Sequence, residues 1–268
     1  MIGDQWFPRL RTSSLQRFWQ ALLDALFPSK CLICGAFEGA RPLDERVESD
    51  PLAHITAACF CESCRRGLNP ITSPFCSTCG RPFVSREGDN HACWECLVEP
   101  RHFRKARSFG VYDGALMEAI HRLKYGRHTS LSRPLGALVG DTLFRFWDVN
   151  SVDLLVPVPL HLKRLRHRGF NQAHLLIQRW AKHDGIPFDG LTLLRNRWTE
   201  PQTALSRKER KKNIKGAFVV KTRDRIEGKK IVLVDDVYTT GSTVNECARV
   251  LMSAGAQIVD VLTLARAV

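Results

Sequence analysis

The 268-residue sequence contains no run of 18 or more apolar residues, so no segment reads as a membrane-spanning helix. Its N-terminus lacks the charged, apolar and small-residue succession of a secretory signal peptide, so the chain is expected to be soluble, and the metal-ligand spacing of its cysteines sets the expectation of a reducing cytoplasm. Acidic residues are scarce in one part only. Residues 1–100 carry 10 Lys/Arg against 12 Asp/Glu, whereas residues 101–268 carry 30 against 15. Apolar residues are thin between residues 31 and 96, too thin for that stretch to fold on a hydrophobic core alone. Spacing argues against a secreted disulfide framework, because eight of the ten cysteines fall into four C-x-x-C pairs.

Those pairs are Cys31/Cys34, Cys61/Cys64, Cys76/Cys79 and Cys93/Cys96, with glycine following Cys34 and Cys79. Each pair supplies two thiolates, and two tetrahedral four-sulfur zinc sites use all eight. Four protein ligands per ion leave no open coordination position, so both zinc ions are expected to be structural. Sequential pairing, Cys31/Cys34 with Cys61/Cys64 and Cys76/Cys79 with Cys93/Cys96, gives a double zinc ribbon; an interleaved cross-brace is the alternative. Cys59 and His91 are substitute ligands by position. An iron–sulfur cluster also takes four cysteines, but the ribbon-like spacing favours zinc. Cys247, inside a helical pattern, reads as core.

Organisation follows from these shifts in composition. Leu15, Phe18, Trp19, Leu22, Leu23, Leu26 and Phe27 recur at helical spacing, so residues 14–27 read as an amphipathic helix ended by Pro28. The chain then divides into an N-terminal helix (1–30), a double zinc-ribbon domain (31–105) and an α/β domain (106–268). Strands are expected near 107–112, 152–158, 191–195, 217–220, 230–235 and 257–264. Helices are expected near 115–123, 131–146, 171–183 and 244–254. That alternation implies a mostly parallel sheet wrapped by helices, with ligands bound at the loops after the strands.

The most informative stretch runs from Ile231 to Thr243, I-V-L-V-D-D-V-Y-T-T-G-S-T. An apolar run stopped by Asp235 and Asp236 reads as a buried parallel strand whose carboxyl end faces a ligand crevice. Thr239, Thr240, Gly241, Ser242 and Thr243 then bring hydroxyls and backbone amides to the start of a helix, where an anion such as phosphate is favoured. No G-K-[ST] follows the glycine, which argues against a Walker-type loop. A second loop, after the strand at 152–158, sets Lys163, Arg164, Arg166 and Arg168 next to a proline pair and suits a pyrophosphate. A third basic segment, Arg207 to Lys215, carries six cations and one acid in nine residues and reads as solvated and mobile. Lys124-Tyr125-Gly126 is a further basic turn. Phe170, Trp198 and Tyr238 each read first as core, with a stacking platform for single-stranded DNA, which a field of this sign attracts, as the alternative.

The Ile231–Thr243 stretch resembles the phosphoribosyl pyrophosphate (PRPP) motif of type I phosphoribosyltransferases. That resemblance implies that Asp235 and Asp236 contact the ribose hydroxyls and that Thr239 to Thr243 hold the 5′-phosphate. It also implies that Lys163, Arg164 and Arg168 contact the pyrophosphate, that Arg207, Arg210 and Asn213 close over the ligand, and that magnesium accompanies PRPP. With V-P-V-P-L at 156–160, R-G-F-N-Q-A at 168–173, Q-T-x-L-S-R at 202–207 and N-x-K-G-A-F at 213–218, the chain resembles the ComF family of competence-associated proteins from about Leu26 to Arg266. The resemblance implies a parallel-sheet, type I phosphoribosyltransferase-like domain behind a double zinc ribbon, associated with DNA uptake in natural transformation. PRPP or a related phosphosugar, single-stranded DNA and DNA-uptake proteins are the implied partners. The motifs disclose no acceptor, so an active phosphoribosyltransferase of nucleotide metabolism and a non-catalytic PRPP sensor stand as alternatives.

Overall fold

The computed structural model describes residues 30–37, 51–85, 87–126, 128–199 and 207–268. The helix expected over 14–27 lies outside the described residues. The chain divides into two compact units, Met1–Gly67 and Leu68–Val268. This division falls earlier than the change of composition near Ala106, and it groups the second pair of cysteine knuckles with the sheet.

In the first unit the Cys31–Cys34 knuckle is a tight turn. Cys31 N–H donates to Ala36 O and Gly35 N–H to Cys31 O, each at 2.9 Å, with Gly35 in the left-handed conformation at φ +75°. Helix α1 (Pro51–Cys59) offers Cys59 O to Leu32 N–H at 2.9 Å. Helix α2 (Glu62–Arg66) begins at Cys61, whose sulfur accepts Cys64 N–H at 3.5 Å.

The second unit opens on the other knuckles, Cys93 and Cys96 bracketing the start of helix α3 (Trp94–Val98). Among the described residues six strands follow: β1 (Ala106–Val111), β2 (Leu154–Pro157), β3 (Leu193–Arg195), β4 (Phe218–Val220), β5 (Lys230–Tyr238) and β6 (Ile258–Arg266). The order β1-β6-β5-β2 makes one parallel sheet, and β3 pairs antiparallel with β4. The expected parallel α/β architecture is therefore present. Ile231 and Leu233 of β5 share a core cluster with Val259 and Val261 of β6, Leu154 and Val156 of β2, and Cys247, Ala248 and Leu251 of helix α9 (Ser242–Ser253). The alternate residues Val232 and Val234 are also buried. Burial of both faces is why these strands read as continuous apolar runs instead of alternating ones.

Helix α4 (Gly114–Tyr125) follows β1, and helices α5 (Ser132–Phe146) and α7 (Gln172–His183) pack on each other and on the sheet. A Cβ at Gly136 would stand 2.7 Å from Leu176 O, so glycine there lets the two helix backbones approach closely. The knuckle segment is tied to the sheet edge: Ile71 N–H donates to Phe109 O at 2.8 Å and Ala106 N–H to Thr78 O at 2.7 Å.

Two expectations change in detail. The basic segments that read as loops contain helices, α6 (Leu162–Arg168) and α8 (Arg207–Ile214). Lys and Arg are good helix formers. In α6 the His161 ring accepts Lys163 N–H at 3.2 Å, and Gly169 at φ +85° closes the C-terminal end. Strand β5 also does not stop at Asp235; it runs on to Tyr238, which pairs in register with Arg266.

Candidate functional site

A cavity of about 580 Å³ lies at the carboxyl ends of β2 and β5. Because β5 continues through the acid pair, Asp235 and Asp236 point to opposite faces of the strand. Both still line the cavity. Asp236 is buried, and its Oδ2 lies 2.8 Å from Lys124 Nζ at the end of α4. Burial works against the charge of Lys124, but Asp236, with Asp235 behind it, holds its pKa above the ordinary lysine value. Asp235 is half-buried and accepts Asp236 N–H at 2.9 Å. Desolvation and the adjacent Asp236 charge push it up from 3.8 to about 7. The acid pair is thus two unlike groups, one committed to a lysine and one held close to neutral pH.

Beyond Tyr238 the chain turns through Thr239 and Thr240 into α9. Gly241 takes φ +76° immediately before the helix, and a Cβ there would stand 2.2 Å from Tyr238 Oη. Thr240 Oγ1 and Ser242 Oγ are 2.9 Å apart. Thr239 and Thr243 line the cavity, while Thr240, Gly241 and Ser242 shape the turn between them. The turn thus brings Thr239 and Thr243, at the N-terminal end of a twelve-residue helix, to the cavity, where the helix dipole adds partial positive charge.

The opposite wall is cationic. Lys163, Arg164 and Arg168 of α6 line it beside His167, and the helical turn gathers these three cations on one face where a loop would scatter them. Arg168 donates to Gln172 Oε1 at 2.6 Å and stacks over the exposed Tyr125 ring at 5.5 Å. Lys163 and Arg164 lie 5.6 and 5.3 Å from the centre of the Trp198 ring, and Arg164 donates to Thr199 O at 3.2 Å. The side chains of Arg207 and Arg210 lie outside the described residues. Past them, Asn213 O and Lys215 O each accept from Arg197 at 2.8 Å, and Gly216 N–H donates to Glu246 Oε1 at 2.8 Å.

For three of the lining groups the sequence carries a weak signal or none. Arg195 is buried at the end of β3; burial and the nearby Arg164 charge bring it down to about 10. A lone arginine in a short strand carries no motif. Tyr112 and His121 line the cavity beside Lys124, His121 Nε2 lying 2.8 Å from Tyr112 Oη. Of the three stacking residues, Trp198 lines the cavity, Tyr238 is buried, and Phe170 is half-buried and is not among the cavity-lining residues.

The eight knuckle cysteines gather into two quartets, Cys31/Cys34/Cys61/Cys64 and Cys76/Cys79/Cys93/Cys96, each with its sulfurs within 4.8 Å of one another. That is the sequential pairing. Cys34 and Cys61 sulfurs are 3.6 Å apart and Cys79 and Cys93 sulfurs 3.8 Å, against ~3.8 Å for thiolates around a tetrahedral zinc. The donor sets fit zinc. Cys59 belongs to neither quartet, and His91 stacks on Phe83 with ring centres 4.2 Å apart. Among the described residues no helix is long and apolar enough to cross a membrane.

Residues 171–267 match the phosphoribosyl transferase domain family, a span that includes the acid pair and the turn but begins after α6. Over 210 residues the chain is 35% identical to DNA utilization protein YhgH of Salmonella typhimurium, covering 77% of this chain and 90% of that one. Competence protein F of Haemophilus influenzae is 32% identical over 219 residues, 80% and 93% of the two chains. Competence protein ComFC of Bacillus subtilis is 31% identical over 214 residues, 77% and 83%. With the two cysteine quartets and the parallel sheet in the same order as the motifs predicted, the chain belongs to the ComF family of competence-associated proteins.

Proposed function

We propose that the cavity binds phosphoribosyl pyrophosphate with magnesium, and that the chain serves DNA utilization as a cytoplasmic phosphoribosyltransferase-type protein carrying two structural zinc ions. The observation that supports this most is the sharing of one cavity by an acid pair, a helix N-terminal turn and a cationic helix face. Ribose hydroxyls need acceptors, which Asp235 and Asp236 supply. A 5′-phosphate needs convergent amides, which the Thr239–Thr243 turn supplies. A pyrophosphate needs several cations, which Lys163, Arg164 and Arg168 supply.

Magnesium takes oxygen ligands and is held through one or two carboxylates together with substrate phosphates, and Asp235 is the carboxylate at hand that has no lysine of its own. Bound there, magnesium would neutralise charge on the pyrophosphate. In a transfer reaction a nucleophilic atom of the acceptor bonds to C1 as the C1–oxygen bond breaks with its electron pair leaving on pyrophosphate, and the basic wall stabilises that developing charge, an effect for which a single donor is worth about 3 kcal/mol. A sensor would share the binding step and stop before bond cleavage.

Calorimetric titration with PRPP and magnesium tests the reading, with Asp235→Asn as the variant because it keeps size and spares the buried Lys124 pair. Saturable binding to the wild type, weakened at least tenfold in Asp235→Asn, is the expected result. Equal affinity in a folded variant would remove Asp235 from the site. Pyrophosphate release in the presence of an acceptor separates transferase from sensor.

A further inference from the structure

The turn assigned above to phosphate stands on the second cysteine quartet. Gly241 lies so close over Tyr238 that a Cβ would meet the hydroxyl at 2.2 Å and the ring carbon that bears it at 2.4 Å. The Tyr238 ring is the floor of the turn. Two groups hold that floor: Arg266 stacks over the ring at 4.3 Å, and Phe103 meets it edge-on with centroids 6.3 Å apart. Tyr238 and Arg266 are register partners on β5 and β6, so their side chains share a face of the sheet. From there the Arg266 guanidinium reaches Cys79, donating to its carbonyl at 2.6 Å and to its sulfur at 3.3 Å. A separate tie leaves the segment after Cys96, where His102 N–H donates to Asn245 Oδ1 in the first turn of α9 at 2.8 Å.

We infer that the metal held by Cys76, Cys79, Cys93 and Cys96 braces the Thr239–Thr243 turn, with Arg266 and Tyr238 as the positioning residues that carry the brace. Four thiolates at these separations repel one another unless a cation sits among them, and in a stretch this poor in apolar residues a metal would contribute much of the folding free energy. A guanidinium that donates to a ligand sulfur and to the same residue's carbonyl takes its position from the metal site, as groups around a metal's ligands generally fix and are fixed by them. That guanidinium then sets the plane of Tyr238, on which a glycine with no side chain to spare rests. Loss or oxidation of the second quartet would therefore loosen the turn. Coupling of this kind is reciprocal, so an anion in the turn tightens the metal site in return. The last consequence rests on the PRPP reading; the brace itself does not.

The test uses the full zinc-loaded protein and two readouts. Amide hydrogen exchange compares wild type with Arg266→Met, both confirmed by metal analysis to carry two zinc ions. Exchange in residues 239–244 should quicken about tenfold in the variant, the scale of one charge-assisted hydrogen bond, while β2 amides stay as they were. If Arg266→Met does not retain both metals, Phe103→Leu, which touches Tyr238 and ligates nothing, takes its place. The second readout is zinc transfer to a chromophoric chelator with and without magnesium-PRPP. One of the two ions should leave more slowly when ligand is present, and Arg266→Met should abolish the difference. Unchanged exchange at 239–244 in a zinc-replete variant overturns the brace. So does zinc release indifferent to a ligand that calorimetry shows to be bound. Absence of PRPP binding in the wild type would instead overturn the PRPP reading, and the exchange comparison would still decide the brace.

Discussion

Lys124 Nζ lies 2.8 Å from Asp236 Oδ2, with 17% and 5% of the two side chains exposed. The pair joins the end of α4 to the middle of the acid motif and makes the two aspartates unequal. Removing Lys124 leaves Asp236 buried without its cation, and removing Asp236 leaves Lys124 buried with only the more distant Asp235 charge, losses of a kind that typically cost ~3–5 kcal/mol. Asp236→Asn should therefore lower the urea midpoint substantially, as should Lys124→Met, and the double variant should recover part of the loss. Additive losses in the double variant would mean that the two groups do not depend on each other.

Asp235 makes an opposite prediction for pH. Its folded pKa of about 7 stands above its ordinary 3.8, because burial and Asp236 oppose its charge. Between about pH 4 and pH 7 the folded state then binds more protons than the unfolded state, so this group's contribution to stability falls as pH rises and is lost above 7. Urea midpoints measured from pH 5 to 8 should show this downward component in the wild type and not in Asp235→Asn. Magnesium-PRPP, which needs the carboxylate charged, should bind more tightly as pH rises through 7. A pH profile identical in the two proteins would show that Asp235 is already ionised well below neutrality.

The purified protein should contain about two zinc ions per chain, one for each four-sulfur set. Cys31→Ser and Cys79→Ser should each reduce that to about one. Only Cys79→Ser should disturb the unit that contains the sheet, since Cys79 belongs to Leu68–Val268 and Cys31 to Met1–Gly67. A visible iron chromophore would replace zinc in this assignment.

How much of this was readable from sequence depended on whether a feature is local. The strands β2, β5 and β6 are apolar runs because both of their faces are buried, and the D-D-x-x-T-T-G-S-T sequence keeps strand, acids, turn and helix in one continuous stretch. The knuckles likewise carry their spacing with them. What the sequence did not show was made by the topology. Arg195 reaches the cavity from a three-residue strand, Lys124 finds Asp236 across 112 positions of chain, and Arg266 finds Cys79 across 187. The helical state of Leu162–Arg168 was obscured because a dense cation run reads as solvated loop, although His161 and Gly169 are its cap and its stop.

Lys163, Arg164 and Arg168 line the cavity on one face of α6, and Arg207, Arg210, Lys211 and Lys212 follow one another along α8. A polynucleotide backbone offers the same chemistry as a pyrophosphate, so single-stranded DNA and PRPP should compete for the α6 cations. Binding to DNA should weaken steeply with salt, log affinity falling by about 0.7 per contacted phosphate for each unit of log salt. Replacing Arg207, Arg210, Lys211 and Lys212 with alanine should lower that slope by roughly two to three units if most of the four touch phosphate. Filter binding across a salt series, with and without saturating magnesium-PRPP, makes the measurement. DNA binding that is indifferent to PRPP would place the DNA surface outside the cavity, and an unchanged slope in the quadruple variant would remove α8 from that surface.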